Sequence, residues 1–552
     1  MGARYLFEED VVTLLNASDS EEDISEEENH TSDDSIHPTS ESDCDTSDSE
    51  DDRDNVQSKD RKITWSAEPF PQHGRTSSAN IIKLTPGPTR YAISRIDDIR
   101  SSFQVIMNNN LSDIVLKMTN IEGRRVYGDN WENLDAITLE AYIGILLLAG
   151  VYRSHGESTK SLWNPETGRP IFSATMSLKT FCCISRVLRF DDKSDRRARR
   201  ADDKLAPIRD FWEHWEEILS QFYNPGTNVT VDEQLVGFRG RCPFKQYIPS
   251  KPAKCGIKIW TLCDCASSYC LKAQVYTGKP PGGTREKNQG MRVVMDLTQE
   301  LRGQNVTCDN FFTSYMLGQA LLKRNITMLG TMRRNKTELP NLSRKEAVHH
   351  SQFYFTKDTT VVSYIPKKNR NVVLMSTAHN SKEVSNREDK KPKIILDYNA
   401  TKGAVDTLDK LIATYTCKRK TNRWPVIVFY NILDTTAYNA FVLWTEINPH
   451  WNENILHKRR IYLEELGKHL VSPYIETRKR LPRNEPAIAI VRKIQTADPP
   501  TTSPSGSKQA CKRSRCKFCP SKCDNKTPMM CSNCGKHVCK AHVAYYCPEC
   551  KM

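Results

Sequence analysis

Two segments of this 552-residue chain end alike, Asn228-Val-Thr-Val-Asp232 and Asn305-Val-Thr-Cys-Asp309. Each runs a short β-prone stretch into an aspartate, which would hold a carboxylate on rigid backbone while it faces a cleft. A third candidate is Asp406, in Gly403-Ala-Val-Asp-Thr-Leu-Asp409. If a helix starts there, Asp406 and Asp409 are three apart and share a face. Three convergent carboxylates, Asp232, Asp309 and Asp406, suit two Mg²⁺ ions, which take oxygen ligands and retain waters. Such a pair, about 3.5–4 Å apart, activates an attacking water or hydroxyl and stabilises the leaving oxygen in phosphoryl transfer. Spacing alone leaves a second reading open, because aspartate at these places is also an ordinary turn or N-cap residue.

Basic residues downstream of each carboxylate favour the chemistry. Asp232 is trailed by Arg239, Arg241 and Lys245, then Lys251, Lys254 and Lys258. Arg333, Arg334 and Lys336 lie downstream of Asp309, and Lys418, Arg419, Lys420, Arg423 and Trp424 downstream of Asp406. Cations of this kind contact phosphates and position a duplex. Trp424 either stacks on an unpaired base or packs, since Pro425 and the apolar run Val426–Phe429 adjoin it.

A second constellation closes the chain. Nine of the 19 cysteines fall in the last 42 residues, with the spacing Cys516-x2-Cys519-x11-Cys531-x2-Cys534-x4-Cys539-x2-His542-x4-Cys547-x2-Cys550. Eight ligands fill two tetrahedral Zn²⁺ sites, and a segment this short depends on metal for its folding energy. Interleaved pairing is expected: Cys516, Cys519, Cys539 and His542 on one zinc, Cys531, Cys534, Cys547 and Cys550 on the other. His537 is an alternative to His542, and Cys511 and Cys523 are spare. The pattern resembles a RING or PHD cross-brace, which would mean ubiquitin ligation or histone-tail reading.

The elements that must position these residues emerge from periodicity. From residue 82 to 227 the pattern is helical, with Leu134–Tyr152 and Asp210–Tyr223 at helical spacing and the stripe Phe211, Trp215, Ile218, Leu219, Phe222 read as core. The charge run Asp191–Arg200 reads as solvated. Asn228–Phe238, Gly256–Cys265, Tyr269–Tyr276 and Gln304–Asp309 read as strands, Met291–Arg302 and Ser314–Lys323 as helices, and Gln352–Thr377 as strand-rich. Helix returns after Asp406 and through Trp424–Ile447. Residues 484–510, with Pro499, Pro500 and Pro504, read as a linker.

Charge is split. Residues 1–60 hold 21 Asp and Glu against Arg4, Arg53 and Lys59, so the remainder carries 77 basic and 46 acidic side chains. An acidic tail on a basic body points to a polyanion partner, most simply nucleic acid. The tail is too polar to fold. Ser18, Ser20, Ser25, Ser32 and Ser49 precede acidic residues, as an acidophilic kinase such as casein kinase II favours, and the tail is expected to compete with DNA for the basic body. A mean hydropathy of −0.60 excludes a multi-span membrane protein, and the longest apolar stretch, Tyr142 to Val151, falls short of the roughly 20 residues a bilayer requires. No signal peptide is expected, and thiols should be reduced, in cytosol or nucleus. Basic runs at Arg478–Arg480 and Lys512–Lys517 suit nuclear import.

Several long motifs also carry a family resemblance: Leu188-Arg-Phe-Asp-Asp-Lys-Ser194, Val231-Asp-Glu-Gln-Leu-Val-Gly-Phe-Arg-Gly-Arg-Cys-Pro-Phe244, Ile248-Pro-Ser-Lys-Pro252, Gly256-Ile-Lys-Ile259, Cys308-Asp-Asn-Phe-Phe-Thr-Ser314, Tyr398-Asn-Ala-Thr-Lys-Gly-Ala-Val-Asp-Thr-Leu-Asp409 and Lys420-Thr-Asn-Arg-Trp-Pro425. Over residues 82–552 the chain resembles the piggyBac transposases. The resemblance implies an α/β protein whose RNase H-like catalytic domain carries a β-rich insertion, flanked by a split helical dimerisation and DNA-binding domain and a C-terminal cross-brace zinc finger. It places the catalytic triad on Asp232, Asp309 and Asp406, with Asp409 as a further required acid. The implied organisation is a disordered acidic region (1–81), helical domain (82–227 and 419–497), catalytic domain (228–333 and 394–418), insertion (334–393), linker (498–510) and zinc-binding domain (511–552). The implied activity is cut-and-paste transposition: nicking at the element's terminal inverted repeats, hairpin formation, and joining to a TTAA target. A nuclear homodimer on double-stranded DNA is expected, with two Mg²⁺ per active site and two Zn²⁺ per terminal domain, where Lys512, Arg513, Arg515 and Lys517 would lie near phosphates. One departure, Ala404 in place of a family glycine, suits a helix start. The competing reading is a domesticated, non-catalytic DNA- or chromatin-binding derivative.

Overall fold

Nine β-prone segments from Asn228 onward gather with two short N-terminal ones, among the described residues, into one mixed sheet of 11 strands. The computed structural model describes residues 55–71, 84–278 and 286–496, and near the C-terminus 514–520, 522–523, 525–527, 529 and 536–542. Its contacts divide the chain into two units, Met1–Gln495 and Thr496–Met552.

In the first unit the sheet strands are β1 (Asn55–Gln57), β2 (Thr64–Ser66), β3 (Asn228–Gly237), β4 (Gln246–Tyr247), β5 (Cys255–Asp264), β6 (Cys270–Val275), β7 (Asn305–Cys308), β8 (Thr327–Thr331), β9 (Ser351–Phe355), β10 (Thr360–Lys367) and β11 (Arg370–Ser376). They lie in the order β1-β2-β9-β10-β11-β8-β7-β3-β5-β4, with β6 on β5. β7 is parallel to both of its neighbours, β3 and β8. The other pairings are antiparallel. Val229, Val231 and Val306 are fully buried on one face while Thr230 and Thr307 are buried on the other, so helices and loops cover both sides, as parallel strands require.

Helices pack on this sheet and on one another: α1 (Ala136–Val151), α2 (Arg209–Leu219), α3 (Gln289–Leu297), α4 (Tyr315–Leu322), α5 (Lys393–Thr401), α6 (Ala404–Thr414), α7 (Trp424–Ile447) and α8 (Lys458–Glu476). α1 starts at Asp135, whose carboxylate accepts from Thr138 N at 2.8 Å. Apolar all round, it is buried. It meets α8 through Gly144 and Gly467, and a Cβ at Gly467 would stand 2.6 Å from Leu148 Cγ. That contact joins chain segments more than 300 residues apart. α7 begins with Pro425 in its first turn, where a missing N–H costs nothing. It is long and apolar enough to cross a membrane, yet 89% of that window is buried inside the protein. Asn439 on α7 accepts from Cys270 N at 3.0 Å and donates to Cys270 O at 2.9 Å, pinning the helix to β6. Phe211, Trp215 and Leu219 of α2 are core, as the stripe predicts, while Trp212 joins them from outside the stripe and Ile218 is half-buried.

The structure departs from the sequence reading in five places, the first being that residues read as the start of a linker form a helix, Glu485–Gln495, with Ala487 and Val491 buried. Disorder is expected through residue 81, but 55–71 form an ordered hairpin on the sheet edge. Trp65 is fully buried there, donates to Glu338 O at 3.0 Å, and packs edge-on against Tyr315. The acidic residues 1–54 lie outside the described residues. The segment 334–393 is not set apart, because β9–β11 continue the same sheet beyond β8 and share a small core of Leu329, Phe353, Phe355, Val362, Tyr364 and Leu374. β8 is a strand that periodicity does not reveal: Gly330 weakens its signature, and is needed there because a Cβ would lie 2.1 Å from Thr313 Oγ1. Lastly, the charge run after Phe190 is paired in part, while Asp195 and Arg197 stay exposed. Asp191, 3% exposed, binds Arg196 at 2.7 Å and Arg199 at 2.8 Å, and Arg189 is buried against Glu122 at 2.9 Å.

Candidate active site

The twin Asn-Val-Thr-x-Asp segments run alike up to their aspartates for a local reason. Alternate residues of a strand share a face, so the threonine and the aspartate of each segment point the same way while the valines point into the core. Thr230 donates to Thr401 O at 2.5 Å, and Thr307 meets Thr401 Oγ1 at 2.7 Å. Both strands thus grip the last residue of α5, and α6 with Asp406 and Asp409 starts three residues later. Val231 of β3 stands opposite Cys308 of β7 in parallel register, which brings the next residues, Asp232 and Asp309, side by side. Asp309 is fixed by its own turn: its carboxylate accepts from Phe311 N at 2.9 Å, and its carbonyl accepts from Thr313 Oγ1 at 2.8 Å.

Carboxylate oxygens of Asp232, Glu233 and Asp309 all lie within 4.8 Å of one another. Burial, then the neighbouring Glu233 and Asp309 charges, push the Asp232 carboxyl up to about 8. Oxygen donors this crowded repel unless a proton or cation stands between them, and a hard divalent cation such as Mg²⁺ fits that donor set. Sequence reasoning misses Glu233 because consecutive strand residues ordinarily face opposite ways. Here Glu233 N donates to Asp232 Oδ1 at 2.7 Å, folding the aspartate back along its own strand.

Asp406 and Asp409 stand outside this tight group. Asp406 sits in the first turn of α6 with its side chain 68% exposed, 3.5 Å from Lys251 Nζ. Lys251 also donates to Glu233 O at 3.0 Å. Asp409 is turned inward and accepts from Gln234 Nε2, whose Oε1 accepts from Asn431 of α7 at 2.9 Å. Burial raises the Asp409 carboxyl to about 6 despite the Gln234 hydrogen bond. Ala404 is buried at the start of α6, as a helix start allows.

Comparison with known proteins fits this geometry. A family model described as Transposase IS4 matches residues 100–441. A cryo-EM structure of a piggyBac transposase synaptic complex with hairpin DNA superposes with a TM-score of 0.70 at 32% identity, over 85% of this chain and 100% of that one. The chain belongs to the piggyBac transposase family. Human piggyBac transposable element-derived protein 3 is 23% identical over 339 residues, 57% of this chain, and the match spans only 56% of that relative's length. Human piggyBac transposable element-derived protein 2 is 22% identical over 438 residues, 71% of this chain and 70% of that one.

In this piggyBac-family chain the cations named from sequence divide into two sets. Arg239, Arg241, Lys245, Lys254, Arg333 and Lys420 are exposed, and Arg334 and Lys336 half-buried. Arg333 Nε bonds Asn310 Oδ1 at 3.2 Å, beside Asp309. The other set is spent inside the protein, which corrects the expectation that it meets DNA. Lys258 is 8% exposed and pairs with Glu233 at 3.7 Å. Lys418 donates to Gly237 O, and burial lowers its pKa. Arg419 is buried and donates to Ser154 O and, at 2.7 Å, to Glu157 O. Arg423 donates to Leu188 O at 2.8 Å and Ser185 O at 2.5 Å. Trp424 is 7% exposed with its ring 4.9 Å from Phe244, leaving no face for a base. Arginines that link carbonyls of distant segments are a tertiary use that charge counting cannot see.

The second unit holds its own ligand group, Cys516, Cys519, Cys539 and His542. His542 Nδ1 lies 3.8, 3.6 and 3.3 Å from the three sulfurs, and Cys519 and Cys539 are 3.6 Å apart. Tetrahedral zinc with bonds of about 2.0–2.3 Å spaces its ligands by roughly 3.3–3.8 Å, so these four fit Zn²⁺. The His542 hydrogen bond holds the Cys539 thiol below its ordinary value, toward the thiolate that zinc requires. His537 is turned away, its Nδ1 3.0 Å from Thr527 O. Cys531, Cys534, Cys547, Cys550 and Cys511 lie outside the described residues, and Cys523 is exposed.

Proposed function

We propose that this chain is a catalytically active, metal-dependent cut-and-paste DNA transposase. The observation that carries the reading is the register of Asp232 with Asp309 at adjacent parallel strands, in a chain of the piggyBac family. The order β6-β5-β3-β7-β8, with three antiparallel strands and then two parallel ones, supports an RNase H-like domain. Asp232 and Asp309 would hold divalent cations, with Asp406 completing the triad and Asp409 setting the α6 helix. Two bound Mg²⁺ ions would supply Lewis-acid activation of the attacking oxygen and stabilisation of the leaving one. The chain's own part is to fix those carboxylates on strand ends, to hold the flanking phosphates with Arg239, Arg241, Lys254 and Arg333, and to keep Asp409 inward through Gln234. The reading extends to hairpin intermediates, TTAA joining, and a nuclear homodimer with two zinc ions in the terminal domain.

The test begins with TTAA-flanked inverted repeats bordering the encoding gene, which define the substrate. Purified protein should nick those ends in Mg²⁺, and Asp309→Ala should abolish nicking while leaving binding intact. Wild-type protein that binds the ends and never nicks them would leave the competing reading, a non-catalytic DNA- or chromatin-binding derivative.

A further inference from the structure

The tight acidic group contains Asp232, Glu233 and Asp309, while Asp406 is joined to β3 by a different bond. The Lys251 ammonium donates to Glu233 O at 3.0 Å and stands 3.5 Å from Asp406 Oδ1. Lys251 reaches that position from a turn that is internally bonded. Ile248 N donates to Lys254 O at 2.7 Å, Lys251 N to Ile248 O at 3.2 Å and Lys254 N to Lys251 O at 3.0 Å. Lys254 closes the turn with a φ of +52°. The backbone is therefore set, and only the four-carbon stem of Lys251 is free to move. Lys258, the other lysine beside Glu233, differs: it is buried, 4.9 Å from the Phe311 ring centroid, and cannot swing away. Lys251, 19% exposed, faces an Asp406 that is largely open to solvent.

We infer that Lys251 is a positioning residue that serves as a built-in counter-ion for Asp406 and competes with a divalent cation for that carboxylate. A lysine ammonium is a compact point charge on a flexible stem. It keeps α6 close to β3, yet its charge opposes a dication arriving at the same oxygens. Metal loading at Asp406 then requires the Lys251 stem to swing out, so the acid that completes the triad is held in place and guarded by one side chain. This inference rests on reading the acidic group as a divalent-cation site.

The experiment is a Mn²⁺ titration monitored by EPR on full-length, zinc-loaded protein without DNA, comparing wild type with Lys251→Met, Lys251→Arg and Asp309→Asn. Removing one positive charge a few ångströms from a dication should tighten Mn²⁺ binding on the order of tenfold, while Lys251→Arg stays near wild type. Unchanged or weaker binding in Lys251→Met overturns the inference and leaves the metal site standing. If wild type shows no Mn²⁺ binding that Asp309→Asn removes, the metal-site reading falls and the inference with it. Lys251→Gln gives the same comparison should the methionine variant melt without cooperativity.

Discussion

Asp232 and Asp309 each come directly after one member of an opposed pair, Val231 and Cys308, on parallel strands. Their carboxylates are neighbours by register, so the repulsion between them is built into the sheet.

That repulsion has a pH signature. The Asp232 carboxyl is pushed to about 8 from 3.8 by burial and then by Glu233 and Asp309, and Asp409 is raised to about 6 by burial. Folded protein therefore binds protons that unfolded chain has already released. The stability these groups contribute is complete below about pH 4 and is lost as pH rises through about 6 and then about 8. In Mg²⁺-free buffer the wild-type melting temperature should fall relative to Asp232→Asn across that window, and Mg²⁺ at pH 8 should recover the difference. Parallel melting curves for the two proteins would contradict this.

Gln234 sits between Asp409 and Asn431, two acceptor and donor groups that are otherwise enclosed. Gln234→Leu strips both hydrogen bonds and leaves Asp409 buried without a donor, at a cost of about 1–3 kcal/mol. Urea unfolding measures that loss. Nicking should fall as well, because α6 carries Asp406 on its first turn.

The N-terminal hairpin defines where a tail deletion must stop. Truncation of residues 1–54 removes nearly all of the acidic run yet spares β1, β2 and Trp65. It should tighten non-specific DNA binding with little change in melting temperature, as read by fluorescence anisotropy at matched salt. Trp65→Ala, in contrast, should cost about 3–5 kcal/mol of stability. Equal DNA affinity with and without 1–54 would make the tail an inert appendage.

Trp424 and Lys420 are close in sequence and opposite in exposure. Trp424→Ala should destabilise by about 3–5 kcal/mol through the cavity it leaves beside Phe244. Lys420→Ala should leave stability alone and reduce the slope of log affinity against log salt by about 1. A Trp424→Ala protein of normal stability and impaired DNA binding would restore the stacking role.

Zinc content checks the terminal unit. Full-length protein should carry about two Zn²⁺ by elemental analysis, and Cys539→Ala should lose about one of them. His542→Ala should do the same, whereas His537→Ala should not, because His537 faces Thr527 O.

Local chemistry made much of this legible in one dimension. The two Asn-Val-Thr-x-Asp strands declare themselves through β-branched residues and a terminal acid, α7 through 24 residues without a breaker beyond its first turn, and the Cys/His group that fits zinc through repeated short spacings. Those signals survive because they depend on neighbours in the chain. Other features depend on which faces meet, and no periodicity records that. Glu233 enters the acidic group only because Asp232 bends back on its own strand, and Lys251 reaches Asp406 only because a turn before β5 passes the first turn of α6. Arg419, Arg423 and Trp424 look identical to DNA-contacting residues in a list of charges and rings; folding drew them inside, where distant carbonyls and a phenyl ring take their contacts. Residue type set the chemistry available, and packing decided which groups were left free to use it.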